Sequence, residues 1–418
     1  MNDVDEFDSV EFKPRVPARP VLSLDTFGRD TSRCGSVLDA GEARMTLNAR
    51  TALAHALRHA NIGHGSSVLV PAYHCPVMVT PIVWLGAAPI FFPILPDTTV
   101  DVGALARLVR PDTRALIAVH YFGFPQDLRP LRQFCDERGL VLIEDCAHTF
   151  FGHVDGQVLG GQGDYAIASL MKFLPIYEGG CLVSSRRSLA DLSMRQGGLF
   201  FQFKSALNAL EMACEHGRLP GLNYLLEAKD WLWRRLKTGG GGSGRAGAGQ
   251  AGEGGDEADF EFAPAALHVS MSWPSIAVMK AMSFSRACSR RRRNYEKLFD
   301  AFRDIPGGRP LYPRPVPEGV YPQVFPMVVD APEAVFHVLK SRGVPIIRFG
   351  EFRWKGVDAS ICPVSAELSR RVFQFPCHQS IKASELDWMI RTIVSVLADS
   401  QINPRHPCRV GMPELIQP

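Results

Sequence analysis

Apolar positions along the chain follow two alternating rhythms. Short runs of branched and aromatic residues, SVLVP (67–71), PIFFPI (89–94), ALIAVH (115–120) and LVLIEDC (140–146), read as buried strands. Between them, apolar residues recur at helical spacing. Residues 50–61 place Ala52, Leu53, Ala56 and Leu57 on one face, PVMVTPIVWLG runs to Gly86, and 102–109 and 128–139 follow, the last closed by Gly139. YAIASL (165–170) and GGCLVSS (179–185) add two strands, and 186–237 reads as helices. Further on, the pattern predicts one long helix over 276–302, a strand at 321–330, a helix at 332–343, a strand at 343–349 and a helix at 384–397 with Ser384 as its cap.

Strands and helices joined by short connections predict an α/β fold. Its large domain has a mainly parallel sheet flanked by helices, and a smaller α/β C-terminal domain follows. The expected division is an arm over 1–40, the large domain over 41–275, the small domain over 276–400 and a tail over 401–418. Inside the large domain, 186–262 reads as a helical insertion. Its segment 239–255 is mostly glycine, too poor in apolar side chains to offset its chain entropy. Residues 66–96 carry no Asp, Glu, Lys or Arg, and so imitate a membrane span. Six prolines (71, 76, 81, 89, 93 and 96) argue instead for a buried strand–helix–strand unit. No transmembrane segment is expected.

Charge narrows the function. The 418 residues hold 46 Lys+Arg against 43 Asp+Glu, a net +3 too balanced for a nucleic-acid binder. Arg290–Arg293 looks basic, but four successive helical residues point four ways, so a solvated surface is expected. Ten cysteines occur with no CxxC pair, and the acidic N-terminus has no signal-peptide core. Both predict a reducing, cytoplasmic setting. His120 and His378 lack partners at metal-ligand spacing, and no metal is expected. GGQG (160–163) lacks the spacing of a dinucleotide loop. Trp231 and Trp233 beside Arg234, Arg235 and Lys237 fit a helix packed on its own domain better than one lying on a membrane.

In a parallel sheet, chemistry gathers at the carboxyl ends of the strands. Asp145 ends one buried strand, and its carboxylate there needs a partner. Lys172 follows the next strand in nearly uncharged surroundings, which favour the neutral, nucleophilic amine. A Schiff-base lysine and an acid on a pyridinium nitrogen are the two groups that pyridoxal 5'-phosphate requires. Arg50 and Thr51 open a helix, where N–H groups, a hydroxyl and a guanidinium can converge on a phosphate.

NARTALAHALRHANIGHGSSVLVPAYHC (48–75), LGAAPIFFPILPDT (85–98), RALIAVHYFGFPQDL (114–128), VLIEDCAHTFFGHVDGQVLGGQGDYAIASL (141–170) and QFPCHQSIKASELDWMIRTI (374–393) together resemble the DegT/StrS aminotransferases. These are pyridoxal-phosphate enzymes of fold type I. The likeness is close over 48–185 and looser over 320–400. It implies that Asp145 pairs with the pyridine nitrogen, that His148 lies near the phenolic oxygen and that Lys172 forms the Schiff base. It also implies that Ser169 touches the phosphate with Arg50 and Thr51. The activity implied is transfer of an amino group from an amino acid to a keto acceptor, such as a nucleotide-linked keto-sugar, by a homodimer. Relatives that eliminate water generally carry histidine in place of the lysine, so a dehydratase is the second reading. A non-catalytic scaffold with the same fold is the third.

Three departures stand out. SLMK places the lysine three residues after Ser169, where the family has five. The aromatic residue expected to stack on the ring falls near Cys75, leaving His74 or Tyr73 as substitutes. The family's Asn and Arg that complete the site across subunits fall at Ser270 and Ser272. Arg348, in the small domain, is a candidate anchor for a substrate carboxylate or phosphate.

Overall fold

The continuous apolar runs form the middle of a seven-stranded sheet. In the computed structural model, which describes residues 14–28, 34–154, 156–219 and 261–402, its strands are β1 (Glu42–Thr46), β2 (Ser67–Pro71), β3 (Ala88–Phe92), β4 (Thr113–Val119), β5 (Val141–Asp145), β8 (Tyr165–Ser169) and β9 (Gly180–Ser184). A small hairpin, β6 (His153–Val154) and β7 (Gln157–Val158), lies between β5 and β8 in the chain. The sheet order is β1-β9-β8-β5-β4-β2-β3. β3, β2, β4, β5 and β8 run parallel, and β9 is antiparallel to both neighbours. Only residues 170–179 join β8 to β9. That is too short for the dozen or more residues of a crossover, so the chain turns back on itself. β1 is an edge strand of mostly part-exposed residues, which hid it from the hydrophobic pattern.

Helices α1 (Ala49–His59), α2 (Pro76–Trp84), α3 (Val102–Ala106) and α4 (Arg129–Arg138) connect these strands. Asn48 caps α1: its Oδ1 accepts from Thr51 N at 3.0 Å. The charge-free stretch becomes β2, α2 and β3, and no helix among the described residues is long and apolar enough to cross a membrane. Leu69, Val70, Leu116, Ile117, Leu142 and Ile143 pack in the core without solvent contact. Each such side chain contributes about 1.5–3 kcal/mol on burial.

The second sheet is antiparallel, in the order β10 (Gly308–Pro310), β11 (Val324–Val329), β13 (Val372–Pro376), β12 (Ile347–Arg348). β13 and the helix Pro363–Arg371 escaped the hydrophobic pattern, since Gln374 interrupts the short apolar run of β13.

Several expectations are corrected. Residues 186–198 are not helical, and helix α5 spans Leu199–Glu215. The single helix over 276–302 is two, Trp273–Ala281 and Phe284–Phe302. Met282 between them is extended and bridges to Phe27, and the Ser283 hydroxyl accepts from Arg286 N at 3.3 Å to start the second helix. Cysteine scatter suggested no pairing, yet Cys34 is joined to Cys288 across 254 positions. Sequence spacing could not bring those two together. The glycine run 239–255, the tryptophans at 231 and 233 with their basic neighbours, and nearly all of the tail lie outside the described residues.

Candidate active site

Parallel strands deliver four chain segments to one sheet edge: Pro71–Cys75 after β2, His120–Gly123 after β4, Asp145–His148 after β5 and Ser169–Lys172 after β8. Asp145 is buried and accepts one hydrogen bond, from Ala147 N at 2.8 Å. Burial raises its pKa, against the pull of that N–H and of the Lys172 and His120 charges. Lys172 ends a one-turn 3-10 helix, Leu170–Lys172, and is partly exposed. Its amine makes no hydrogen bond or ion pair among the described residues. Burial lowers its pKa, with Cys75 and Asp145 opposing the shift. Lys172, Asp145 and Cys75 therefore share one electrostatic neighbourhood. Arg50 reaches it too, since its charge acts on the Cys75 thiol, whose pKa burial raises.

His148 is buried, stacks on Phe122 with ring centroids 5.9 Å apart and meets Phe349 edge-on at 4.9 Å. Burial, and then the Lys172 charge, push its pKa far down, so the ring is neutral. Its Nδ1 accepts from Phe122 N at 3.4 Å, which leaves the ring proton on Nε2 as a donor. Phe122 holds the left-handed conformation (φ 59°), a costly state that persists where surrounding contacts enforce it. Here Gly123 packs so closely on Pro322 and Gln323 that no side chain could fit.

The other candidates separate. Ser169 is buried beside the lysine turn, and its hydroxyl has no hydrogen bond among the described residues. Thr51 is buried in the α1 cap, its hydroxyl donating to Asn48 O at 2.8 Å. Arg50 Nη1 donates to Glu261 O at 2.5 Å. Glu42, at the start of β1, is paired with Arg44 at 2.6 Å. Gly180 brings the start of β9 against the Asn48 backbone, where a Cβ would overlap it, so the head of α1 lies directly on the lysine loop. His74 has its contacts elsewhere. Its Nδ1 lies 3.1 Å from Ala72 O, Nε2 accepts from Trp354 N at 3.1 Å, and the ring stacks on Phe91. Tyr73 is buried within an aromatic cluster with Tyr121 and Phe349, and its hydroxyl has no partner among the described residues. Arg348 is engaged by Glu333 at 2.9 Å and Glu351 at 2.6 Å and lies over the Phe336 ring, so it is not a free anchor for an anion.

Some site neighbours escaped sequence reasoning. Glu178 accepts from the hydroxyls of Ser205, Ser272 and Ser275 at 2.6–2.9 Å. His120 does have neighbours: its ring, Glu144 and Cys146 place ligand-type atoms within 4.8 Å of one another. The protein already satisfies His120 and Glu144. His120 Nδ1 accepts from Gln126 N at 3.1 Å, so its Nε2–H faces Glu144, which also takes the N–H groups of Gly160 and Gly163. The expectation that Arg290–Arg293 is solvated fails at Arg291, which is fully buried. Its position on the apolar stripe Ala287, Cys288, Arg291, Tyr295, Leu298, Phe302 was a usable signal.

Residues 35–224 match the DegT/DnrJ/EryC1/StrS aminotransferase family. A GDP-perosamine synthase of Vibrio cholerae is 35% identical over 161 residues, 38% of this chain and 44% of the relative. An L-glutamine:2-deoxy-scyllo-inosose aminotransferase of Streptomyces kanamyceticus is 30% identical over 173 residues, 40% of each chain. The matches thus span less than half the length of these relatives. In overall fold, the chain is similar to the aminotransferase TlmJ from Streptoalloteichus hindustanus. The TM-score is 0.58 at 21% identity, over 85% of this chain and 86% of that one.

Proposed function

Because residues 35–224 match the DegT/DnrJ/EryC1/StrS aminotransferase family, we propose that the chain is a pyridoxal-phosphate-dependent aminotransferase. It would move an amino group from an amino acid donor to a keto acceptor. The acceptor class is a nucleotide-linked keto-sugar, as in polysaccharide or secondary-metabolite synthesis. One observation carries the proposal: the Lys172 amine and the Asp145 carboxylate, from adjacent strand ends, each bias the other's charge at the functional edge of the sheet.

The residues fit the cofactor. Among the described residues, Lys172 offers an amine with no other bond, Asp145 a buried carboxylate that accepts one N–H, and Ser169 an unengaged hydroxyl. When bound, pyridoxal phosphate supplies an electron sink that stabilises negative charge on the substrate carbon. Asp145 would hold the protonated ring nitrogen, neutral His148 would offer Nε2–H toward the phenolic oxygen, and Arg50, the head of α1 and Ser169 would hold the phosphate. Lys172 Nζ, whose proton burial makes easier to lose, would move the proton at the substrate carbon. Cys75 stands where an aromatic face is usual. The retained lysine favours amino transfer over dehydration. A homodimer completes the reading.

The test is absorbance of the reconstituted protein between the near-ultraviolet and the visible, before and after glutamate. Borohydride trapping and peptide mapping then locate the attachment. Loss of the band on adding glutamate, and a trapped adduct at Lys172, are expected. A Lys172→Ala protein that still traps the chromophore covalently contradicts the assignment.

A further inference from the structure

Lys172 ends a helix of a single turn. The last carbonyls of any helix lack intrahelical partners and must find others. Here they find a guanidinium from a distant part of the chain. Arg291, on the helix Phe284–Phe302, is fully buried. Its Nη2 donates to Lys172 O at 2.9 Å and Phe173 O at 3.4 Å. Nη1 donates to Pro322 O at 3.2 Å and Gln323 O at 3.1 Å, and Nε donates to Gln379 Oε1 at 2.8 Å. Gln379 returns the grip, donating Nε2 to Phe173 O at 2.7 Å. The guanidinium carbon lies 4.7 Å from the centroid of the Phe173 ring.

This is an unusual place for a cation. Burial lowers its pKa to about 10, so it stays charged at neutral pH, and among the described residues no carboxylate pairs with it. Such a charge is tolerable only if its donors are satisfied, and here carbonyls and one amide oxygen do so. A planar fork can serve acceptors from three chain segments at once, which an ammonium on a flexible stem cannot. The same fork joins the lysine turn to Pro322–Gln323, which lead into β11, and to Gln379, just past β13.

We propose that Arg291 is a positioning residue for Lys172. By fixing the carbonyls of 172 and 173 from the side of the small sheet, it sets where the Lys172 amine lies relative to Asp145. It also makes that position depend on the seating of the small sheet against the large one. The turn from Ser169 to Lys172 is short and has one internal helical turn to hold it, so the external grip replaces what a longer loop would supply itself. This inference rests on the reading of Lys172 as the cofactor-bearing residue.

The test uses the full-length protein and its Arg291→Lys and Gln379→Ala variants. In cofactor-free protein, acylation of Lys172 is followed against pH by mass spectrometry, with Lys280 and Lys297 as internal standards. In pyridoxal-phosphate-loaded protein, the rate of borohydride trapping at Lys172 is measured, and thermal unfolding is recorded alongside. In Arg291→Lys, the Lys172 labelling midpoint is expected to move by about half a pH unit or more. Trapping should slow by about tenfold or more, as a displaced reacting group requires. The standards should label as in wild type. A variant that melts earlier but labels and traps like wild type overturns the proposal and leaves Arg291 as a structural tie. Should Arg291→Lys fail to fold, Gln379→Ala decides: an unmoved midpoint and unchanged trapping overturn the proposal. Wild-type protein that traps no cofactor at Lys172 defeats the functional reading instead. The labelling midpoint in cofactor-free protein still tests the positioning.

Discussion

The Ser272 hydroxyl donates to Glu178 Oε1 at 2.6 Å. That bond holds Ser272 against the loop that follows Lys172. Ser205 and Ser275 bond the same oxygen at 2.9 and 2.7 Å, and the Ser272 and Ser205 hydroxyl oxygens lie 2.9 Å apart. The network ties α5 and the helix Trp273–Ala281 to the Glu178–Gly180 turn.

Removing the acceptor orphans several buried hydroxyls at once. Glu178→Ala is expected to destabilise the protein by about 1–3 kcal/mol or more, the desolvation cost of unsatisfied buried groups. Ser272→Ala should cost less, because Glu178 keeps the Ser205 and Ser275 hydroxyls and the residue-272 N–H. Urea unfolding followed by circular dichroism measures both. Equal losses in the two variants would contradict the shared-acceptor account.

Burial depresses the Lys172 pKa below its ordinary 10.5. The unfolded chain therefore binds this proton more tightly than the folded one. Its contribution disfavours folding at neutral pH, and that penalty fades as pH rises through the interval between the folded and unfolded values. Replacing Lys172 and Asp145 together, as Lys172→Met with Asp145→Asn, avoids leaving one buried charge alone. Cofactor-free double variant is expected to be more stable than wild type by about 1–4 kcal/mol at pH 7. For the lysine's share, the advantage should shrink toward pH 10.5. Denaturant midpoints at pH 7 and pH 10 check the sign, and an advantage that grows with pH would rule out this assignment of cause.

Cys75 has its thiol pKa raised by burial, although Lys172 and Arg50 pull the other way. Thiolate is the reactive form. Iodoacetamide at pH 7 should therefore modify Cys75 more slowly than a free model thiol, and pyridoxal phosphate should slow it further by occupying the space beside Lys172. Peptide mapping over a time course gives both rates. Faster-than-model alkylation would overturn the raised pKa, and no change on adding cofactor would count against the site.

Cys34 and Cys288 are joined, and the other seven described cysteines are free. Digestion under non-reducing conditions should release one cross-linked peptide pair from oxidised protein, and Cys288→Ser should abolish it. Recovery of both cysteines as free thiols after mild oxidation would refute the pairing.

Much of the fold was legible in the chain. Parallel strands are buried on both faces, so β2, β4 and β5 appear as unbroken apolar runs and helices such as α4 show their stripe. Asp145 and Lys172 could be singled out because a strand end and an uncharged neighbourhood are local properties. β1 and β13 were harder to see: one is a part-exposed edge strand, and the other carries a buried glutamine within its apolar run. The break at Met282–Ser283 was invisible because both flanks have helical spacing and only the pairing with Phe27 interrupts them.

By itself the sequence determined which residue types occur at the strand ends, and with them the chemistry open to the site. Tertiary structure decided which of those groups meet. It engaged Arg348 with two glutamates and His74 with Trp354, turned Ser272 toward Glu178, and drew Arg291 out of a basic run to hold the Lys172 backbone. The physical reason is range. Periodicity and turn chemistry act over a few residues, whereas a buried charge or hydrogen-bonding group must be satisfied by whatever packing brings near, for Arg291 and His74 from more than a hundred positions away.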